Sequence, residues 1–415
     1  MQLELSWNVG GAGDPAGKEG MTSLCVDWLG EGTKSLDKTA LENKKADLGA
    51  RIGIGAGSES ASLSLAVVTS RLEPALTLVA ELLTEPGLRP ADLERLRGQA
   101  KASVVQARGN ADGAAARAWS AAFWGRGHPY GHVVEERTLD AVLATDCAKV
   151  VKQLAPEGAE LLVVGDVTVE QLTPLFDRAF AAWKGKAPAR VRVGPPRGLK
   201  GTMFFVDIPG AEQSKVIVGH GGPSRDAPGY AATTVMSQVF GQGLSSRLVQ
   251  NLRERNGYTY GASAGFAYRR FGSALMVQSS IRTDATGKAL REINKEWSGM
   301  TTTPPTDEEL RRERDGGLRA FPARFATNAA LLRSVGELLA YRLPLDTWQR
   351  WPAELRAVDG AAAAKAVRGR LLPTQQVVVA GDRAKVLPEL QALAQEGVFG
   401  KDGLVIVDAD GRVVK

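Results

Sequence analysis

The chain has 415 residues, 44% of them hydrophobic and 24% charged, which is typical of a globular protein with two or more domains. No stretch approaches the roughly 18 uninterrupted apolar residues of a transmembrane helix, so no membrane span is expected. The net charge of +6 equals the six basic residues between 184 and 200, a segment without acidic residues. We therefore expect a charged connecting segment and no nucleic-acid partner.

The first half of the chain opens with "MQLELSWNVGGAG", whose alternation of apolar and polar residues predicts a strand. It contains no basic segment followed by an apolar one, so no signal peptide is visible. A start inside a folded element suggests either a missing leader or a trimmed sequence. Two strands, three helices and a strand–turn–helix unit follow, at residues 50–57, 61–69, 71–83, 90–107, 112–124 and 161–176.

The segment at residues 184–200, "KGKAPARVRVGPPRGLK", is rich in proline, glycine and basic residues. Such a composition favours a connecting segment over a helix or a strand. We therefore interpret it as a linker between two domains.

The second half follows a similar order. Strands are predicted at 257–270 and 272–283, helices near 285–297, 307–320 and 326–341, and a strand–turn–helix unit at 376–390. Residues 400–415 predict a terminal hairpin that turns at "DADG". This string resembles the start of a calcium loop, but the distal glutamate is absent, so a plain turn is expected.

The two halves resemble each other in sequence. Gly381 lies 216 residues after Gly165 in matching strand–Gly-Asp–helix units, and Leu310 lies 217 residues after Leu93 in matching helices. Nearly equal offsets indicate an internal duplication. We predict two homologous α+β domains, residues 1–183 and 201–415, each with a largely antiparallel sheet covered by helices on one side.

The chain has only two cysteines, Cys25 and Cys147. Two cysteines do not indicate a disulfide framework, and they say little about the compartment of the protein.

Several strings, in this order along the chain, resemble the pitrilysin (insulinase) family of zinc metallopeptidases and its non-catalytic subunits, such as those of the processing peptidases. The resemblance covers nearly the whole chain and predicts the same two-domain α+β fold. The strings that carry it are "DPAGKEGMTSLCVDWLGEGTKS", "HPYG", "VVGDV", "FGQGLSSRLVQNLRERNGYTYG" and "LLAYRLPLDTWQRWPAELRAV".

Active members carry His-x-x-Glu-His on the helix after "GKEG", where two histidines bind zinc and the glutamate is the general base. This chain has Ser23, Val26 and Asp27 at those three positions. Relatives take a third ligand, a glutamate, from a later helix, but no acidic residue lies between Glu94 and Asp112 here. The resemblance therefore implies that this chain binds no zinc.

The remaining candidates for metal ligands do not form a set. His128 and His132 are separated by Pro129 and Gly131, which prevents a shared helical face, and His220 is isolated in the sequence. The helix around Ser23 is instead expected to be a packed amphipathic helix. Its core-facing residues would be Leu24, Trp28 and Leu29.

In relatives with a split active site, one subunit supplies zinc and the other supplies an arginine and a tyrosine. Arg253 and Tyr260 have the spacing of that pair, whereas Tyr258, two residues earlier on the same strand, does not. A guanidinium and a phenol can both donate hydrogen bonds to a peptide carbonyl and to the oxyanion that develops from it. The alternative is a helix-end arginine bonded to carbonyls and a half-buried strand tyrosine.

The turn before that helix contains Gly241, Gly243 and Ser245. The glycines suit backbone conformations closed to other residues, and Ser245 is the expected N-cap. The turn resembles a shortened glycine-rich loop of the non-catalytic processing-peptidase subunit, which implies a part in substrate binding. A simple helix-capping turn is an equal alternative.

The sequence therefore predicts a non-catalytic, substrate-binding subunit of a heteromeric zinc endopeptidase that encloses peptides in a chamber. Its partner would be a homologous subunit that holds the zinc, although pairing with a second copy stays open. The alternative is a structural scaffold subunit, like the core subunits of the respiratory bc1 complex, without a role in proteolysis. Bacterial relatives imply a periplasmic location, which the visible N-terminus does not support.

Overall fold

The computed structural model describes residues 1–196, 201–400 and 403–414. The strands are β1 (Gln2–Trp7), β2 (Arg51–Ala56), β3 (Ala61–Ala66), β4 (Glu160–Val164), β5 (Met203–Asp207), β6 (Gln213–Gly222), β7 (Thr259–Arg269), β8 (Gly272–Arg282), β9 (Gln376–Gly381) and β10 (Leu404–Val407). The helices are α1 (Met21–Leu29), α2 (Lys38–Asp47), α3 (Leu72–Thr84), α4 (Pro90–Arg108), α5 (Ala111–Trp124), α6 (Glu136–Asp140), α7 (Ala144–Gln153), α8 (Val169–Ala179), α9 (Tyr230–Gly241), α10 (Arg247–Val249), α11 (Thr286–Thr302), α12 (Asp307–Ala320), α13 (Asn328–Tyr341), α14 (Thr347–Arg356), α15 (Gly360–Arg370) and α16 (Arg383–Gln395).

The strands form two sheets. The first has the order β2-β3-β1-β4 and is antiparallel throughout. The second has the order β10-β5-β9-β6-β8-β7, in which β5 is parallel to both of its neighbours and the other pairs are antiparallel. The predicted α+β class with largely antiparallel sheets is therefore confirmed.

The chain divides into two compact units, each of which contains one sheet. Unit 1 comprises residues 1–104, 134–193 and 323–337, and unit 2 comprises residues 105–133, 194–322 and 338–415. Each unit thus takes a helical segment from the other half of the sequence. The descent of the two halves from one duplicated domain stays a prediction.

Helices cover both faces of the second sheet, which corrects the prediction of helices on one side. Val216 and Val218 of β6 share a buried cluster with residues of α9 and α11. On the opposite face, α5 contacts β6 and β9, and its Trp119 lies directly over Gly219. Every residue of β9 is buried as a result. A continuous apolar run such as "VVVA" is typical of a strand covered on both faces.

The first sheet has one strongly apolar face. The side chains of β1 alternate, so that Leu3, Leu5 and Trp7 are buried in the core of unit 1. Residues of α1 and α3 pack in the same cluster. Segment 323–337 contacts the other face, where a side chain at Gly336 would meet Leu162 at 3.6 Å.

The two irregular segments were predicted in outline. Residues 184–196 contain neither helix nor strand, and residues 197–200 of the predicted linker lie outside the described residues. The predicted hairpin forms a turn at residues 408–411, closed by a hydrogen bond from the Asp408 N–H to the Arg412 carbonyl (2.8 Å). No helix among the described residues is long and apolar enough to cross a membrane.

Asp410 in that turn anchors the hairpin in unit 2. Its side chain is buried and accepts hydrogen bonds from Arg108 (2.7 and 3.1 Å), Arg117 (3.1 Å) and Arg412 (3.2 Å). Burial alone would raise the pKa of Asp410, but the hydrogen bonds from Arg108 and Arg117 outweigh it and lower the pKa. The carboxylate therefore connects the end of α4 and helix α5 to the turn.

We expect Asp410→Asn to lower the free energy of unfolding by about 3 kcal/mol at neutral pH, because it removes the buried counter-charge of the partly buried Arg108 and Arg117. The folded-state pKa lies below the unfolded-state value of about 3.9. The stabilisation is therefore fully present above the unfolded-state pKa and is lost as the pH falls through the folded-state pKa. Urea titrations at several pH values should show the two proteins converging in acid. Asp226→Asn, at an exposed carboxylate of the same unit, should change stability by no more than about 0.5 kcal/mol.

Candidate functional site

Helix α1 of unit 1 is held at its N-terminus by Asp14. The buried Asp14 carboxylate accepts hydrogen bonds from the backbone N–H groups of Gly20 (2.9 Å) and Thr22 (3.0 Å), and from the Thr22 hydroxyl. Gly20 has a φ of 93°, and a side chain there would strike Val134. The "DPAGKEG" string thus fixes where α1 begins.

The three motif positions on α1 do not form a ligand set. Val26 is fully buried and has no titratable group, so it cannot act as a general base. Ser23 is partly exposed, and desolvation, followed by the negative charge of Glu31, raises the pKa of Asp27. Leu24, Trp28 and Leu29 lie in the core, as predicted for a packed helix.

The histidines have hydrogen-bonding and packing contacts. His128 Nε2 lies 2.9 Å from the Gly194 carbonyl oxygen, and its Nδ1 accepts from the Tyr130 N–H. His220 is buried, and its Nε2 accepts from the Leu372 N–H (3.0 Å). Desolvation lowers the pKa of His220. Across the described ranges, no group of three or more histidine, cysteine or acidic side chains could hold a metal ion.

Cys25 and Cys147 form a disulfide, which corrects the expectation drawn from the sequence. Cys25 lies within the degenerate motif on α1, and Cys147 lies on α7, which packs against α1. Both residues are fully buried. No local pattern could reveal this bond, because the residues are 122 positions apart and only the fold brings the two helices together.

We expect the double variant Cys25→Ala/Cys147→Ala to be about 2–4 kcal/mol less stable than the wild type, because the bond closes a long loop in the unfolded chain. Urea denaturation without reductant, with hydrogen exchange of α1 as the local probe, measures the loss. Reductant should destabilise the wild type similarly and leave the double variant unaffected. Equal stability of the two oxidised proteins would contradict a structural role for the bond.

Arg253 of unit 2 lies on a π-helical turn, Gln250–Arg255, that continues α10. The side-chain amide of buried Asn251 donates to Glu292 (2.7 Å) and Glu296 (2.6 Å) of α11, and its carbonyl oxygen accepts from Asn256 (2.7 Å). The turn ends at Asn256, after which Gly257 has a φ of 61°. The predicted helix stop is thus confirmed, but the wider π turn was not foreseen. Such turns are frequent at functional sites.

Tyr260 lies in a β-bulge at the start of β7, where the register with β8 shifts between Thr259 and Ala262. The Thr259 hydroxyl accepts from the Gly261 N–H (3.0 Å) and donates to the Ser280 carbonyl (2.7 Å), which holds the extra residues out of the ladder. A bulge redirects a side chain that a regular strand would hold in the sheet. The Tyr260 side chain is 86% exposed as a result.

The structure brings Arg253 and Tyr260 together. The Arg253 guanidinium carbon lies 4.8 Å from the centre of the Tyr260 ring, within cation–π distance. Arg253 also contacts Glu254, with a nitrogen–oxygen distance of 3.2 Å, and its side chain is 33% exposed. The alternative was a helix-end arginine beside a half-buried strand tyrosine. The observed Tyr260 is instead highly exposed, and Arg253 stacks on its ring.

Tyr258 is placed differently from Tyr260. It lies in the bend before β7, which corrects its predicted position on the strand, and it packs against the core of unit 2. Its backbone joins the π turn to the sheet, since its N–H donates to Leu252 and its carbonyl accepts from Arg282. The two tyrosines can therefore be compared directly by mutation.

The glycine turn before α10 has a structural explanation at each position. Gly241, the last residue of α9, approaches β7 so closely that a side chain would lie 2.4 Å from the Ala264 Cβ. Glycine is therefore required at position 241 because of close packing, and not because of a positive φ angle. Gly243 is exposed and has a φ of 87°, as expected for a turn glycine.

The predicted N-cap at Ser245 is wrong. The N-cap is Ser246, whose hydroxyl donates back to the Gly243 carbonyl (2.8 Å) and so closes the turn instead of capping the helix. Ser245 is exposed, and its carbonyl accepts from Arg312 (3.3 Å). The turn is one residue longer than predicted because Ser246 closes it.

Residues 151–316 match the family described as "Peptidase M16 inactive domain". A curated relative, an uncharacterized zinc protease from Mycobacterium leprae, is 25% identical over 253 residues, which cover 59% of this chain and 56% of that protein. The matched part thus spans little more than half of that relative's length.

Solved structures share the fold, among them the following two. A peptidase M16 inactive domain from Pseudomonas fluorescens has a TM-score of 0.84 at 24% identity, with 92% of each chain covered. A chain of complex III2 from Candida albicans has a TM-score of 0.74 at 12% identity, with 92% of this chain and 90% of that chain covered. At these identities the likenesses concern the fold.

Proposed function

Because the chain carries a peptidase M16 inactive domain at residues 151–316, which confirms its resemblance to the pitrilysin family, we propose that it is the non-catalytic, substrate-binding subunit of a heteromeric zinc endopeptidase. The observation that carries the proposal is the exposed stack of Arg253 and Tyr260. A chamber that encloses peptides, closed by a homologous partner, is the assembly in which this stack would face a substrate.

The residues at the degenerate motif support a division of labour between two subunits. Ser23, Val26 and Asp27 supply neither the two histidine ligands nor the glutamate base of the active motif. The zinc and its activated water would therefore belong to the partner. This chain would contribute hydrogen-bond donors and substrate contacts.

The chemistry of the two side chains suits that part. The guanidinium remains charged and presents several donors in a fixed fork, whereas the phenol donates one hydrogen bond without bringing a charge. Arg253 would hold the substrate carbonyl, and the Tyr260 hydroxyl would donate to the oxyanion that develops on it. Their stacking limits the rotamers of both side chains before a substrate arrives.

The π turn positions Arg253, and the β-bulge positions Tyr260. Asn251 connects the Arg253 turn to α11, and Thr259 fixes the bulge that presents Tyr260. Catalytic donors must be held rigidly to be effective, because a disordered donor loses much of its advantage. Both supports lie in elements with buried neighbours.

We include the turn at Gly241, Gly243 and Ser245 in the proposed substrate-binding surface. Its exposed residues Gly243 and Ser245 lie next to the helix that leads to Arg253. The hydrogen bond that closes the turn and the close packing of Gly241 also suit a purely structural turn. Mutation of Ser245 separates the two roles, since only substrate binding would require its side chain.

The disulfide favours an oxidising compartment for this chain, because such bonds persist mainly in exported proteins. The periplasm is the location that the resemblance to bacterial relatives implies. We therefore include export in the proposal.

If the pair acts on substrate, Tyr260→Phe and Arg253→Ala should each lower the activity of the reconstituted complex by about a hundredfold or more, since one oxyanion donor is worth roughly 2.7–4 kcal/mol. Arg253→Lys should also fail, because an ammonium cannot replace the guanidinium fork. Steady-state kinetics on a peptide substrate measure the loss. The double variant should lose less than the product of the two single losses, because the side chains are in contact.

Tyr258→Phe is the matched control, because Tyr258 packs against the core and not on Arg253, and its activity should be nearly that of the wild type. Thermal stability and complex formation should be unchanged in every variant. Wild-type rates for both Tyr260→Phe and Arg253→Ala would favour the scaffold alternative.

The assembly itself can be tested. Purified alone, the chain should contain no stoichiometric zinc and should cleave no peptide, since the ligands and the base of the motif are missing. Co-expressed with a homologue that carries His-x-x-Glu-His, it should form a heterodimer with an interface on the order of 1,600 Å² or more. Metal analysis, size-exclusion chromatography and a peptidase assay provide the measurements. One tightly bound zinc per isolated chain, with chelator-sensitive activity, would contradict the proposal.

A further inference from the structure

Gly261 directly follows Tyr260 in the β-bulge at the start of β7. Glycine weakens a strand, because it loses more backbone freedom on folding than other residues and has no side chain to pack. A glycine inside a strand is explained by a positive φ, by a contact too close for a Cβ, or by the close approach of a ligand. The surroundings of Gly261 decide between these explanations.

The backbone conformation does not require glycine at position 261. Gly257, four residues earlier, has a φ of 61°, but Gly261 lies outside the positive-φ region. The backbone of Gly261 is also held in place, since its N–H donates to the Thr259 hydroxyl (3.0 Å) and its carbonyl accepts from the Ser279 hydroxyl (2.9 Å). A residue with a side chain could therefore adopt this conformation, and flexibility is not the reason for glycine here.

Packing within the chain does not require glycine at this position either. A Cβ at Gly261 would meet no atom of the described residues within 4 Å. Two neighbouring glycines differ from it. At Gly241 a Cβ would lie 2.4 Å from the Ala264 Cβ, and at Gly265 it would lie 2.7 Å from the Gln242 Nε2. Glycine prevents a clash inside the chain at those two positions, whereas the space at Gly261 is open to the outside.

This open space lies beside the side chain that we assign to the substrate carbonyl. Tyr260 is 86% exposed, so its ring offers apolar surface next to Gly261. Residues 259–263, "TYGAS", carry no charge. A substrate whose carbonyl is held by the Tyr260 hydroxyl brings the side chains that flank this carbonyl into the same region. A large apolar side chain could lie over Gly261 and against the Tyr260 ring.

We propose that Gly261 is a specificity-determining residue, whose missing side chain leaves room for a large apolar side chain at one of the two substrate positions that flank the cleaved bond. This inference rests on the proposed function, because it requires that Tyr260 holds the substrate carbonyl. It adds the substrate class, which is peptides with an aromatic or long aliphatic residue beside the cleaved bond.

The test uses the reconstituted complex and a peptide that it cleaves, in which mass spectrometry locates the cleaved bond. Each residue that flanks this bond is changed in turn to phenylalanine and to alanine. Gly261→Val should lower kcat/KM for the phenylalanine peptide at one of the two positions by about tenfold or more, because the added methyl groups occupy the space of the large side chain. For the alanine peptides kcat/KM should change by less than about threefold, since a methyl group does not need that space.

Gly261→Ala is the second variant, and it should cause a smaller loss in the same direction because it adds only a Cβ. Each variant chain, purified alone, should melt at or above the temperature of the wild type. The conformation at Gly261 accepts a side chain, and β-branched residues favour strands. A loss of activity in a chain of undiminished stability would therefore report on the substrate and not on folding.

Ala267→Val is the matched control. It adds two methyl groups at an exposed position of the same strand. Ala267 lies six residues after Gly261, which is about 20 Å along a strand. The ratio of kcat/KM for the phenylalanine and alanine peptides should equal that of the wild type.

Two results would overturn this inference and leave the proposed function intact. One is unchanged kcat/KM for all peptides in Gly261→Val while Tyr260→Phe still loses activity. The other is an equal loss for the phenylalanine and alanine peptides, which would indicate a general disturbance of the bulge. Wild-type rates for both Tyr260→Phe and Arg253→Ala would instead overturn the proposed function, and this inference with it.

Discussion

The fold depends on covering both faces of each sheet, and the chain meets this requirement by exchange of helical segments. Residues 105–133 belong to unit 2 and residues 323–337 to unit 1, although each lies in the other half of the sequence. Helix α5 packs on the second face of the sheet at β6 and β9. Without α5, the buried residues Ile217 and Val378 on these strands would be exposed to solvent. Neither half of the sequence therefore contains all the layers of its own sheet, and we infer that each half depends on the other for a complete core.

The candidate site depends on two departures from regular secondary structure. If residues 250–255 formed a regular α-helix and the strand from Thr259 were regular, the side chains of Arg253 and Tyr260 would point in other directions. The π turn and the β-bulge change both directions over a few residues, and they bring the side chains into contact. Such irregular backbone loses some of the hydrogen bonds of a regular helix or sheet. The side-chain hydrogen bonds of Asn251 and Thr259 offset this loss here.

Much of the fold could be predicted from the sequence, because hydrophobic periodicity and the Gly-Asp turns are local signals. The helices and strands that were predicted lie within a few residues of their observed positions, and the packed face of α1 follows from its spacing of apolar residues. The disulfide, the exchange of segments and the helices on both faces of the second sheet could not be predicted. Each of these is a contact between residues far apart in the chain, which no local pattern reports. The π turn and the bulge were missed for a different reason, since they depend on side-chain hydrogen bonds to neighbouring elements.

A bound zinc ion and a disulfide can each cross-link helix α1 to another helix, and this chain has the disulfide in place of the zinc motif. In relatives, as the resemblance implies, the metal joins this helix to a later helix of the same half. A bound metal is also a cross-link, because its ligands must be folded to bind it. In this chain Cys25, between the motif positions Ser23 and Val26, joins α1 to α7 by a covalent bond. Helix α1, which lacks the histidines and the glutamate of that motif, is thus cross-linked within its unit by the disulfide. The position of α1 therefore follows from its packing in the core and from the disulfide.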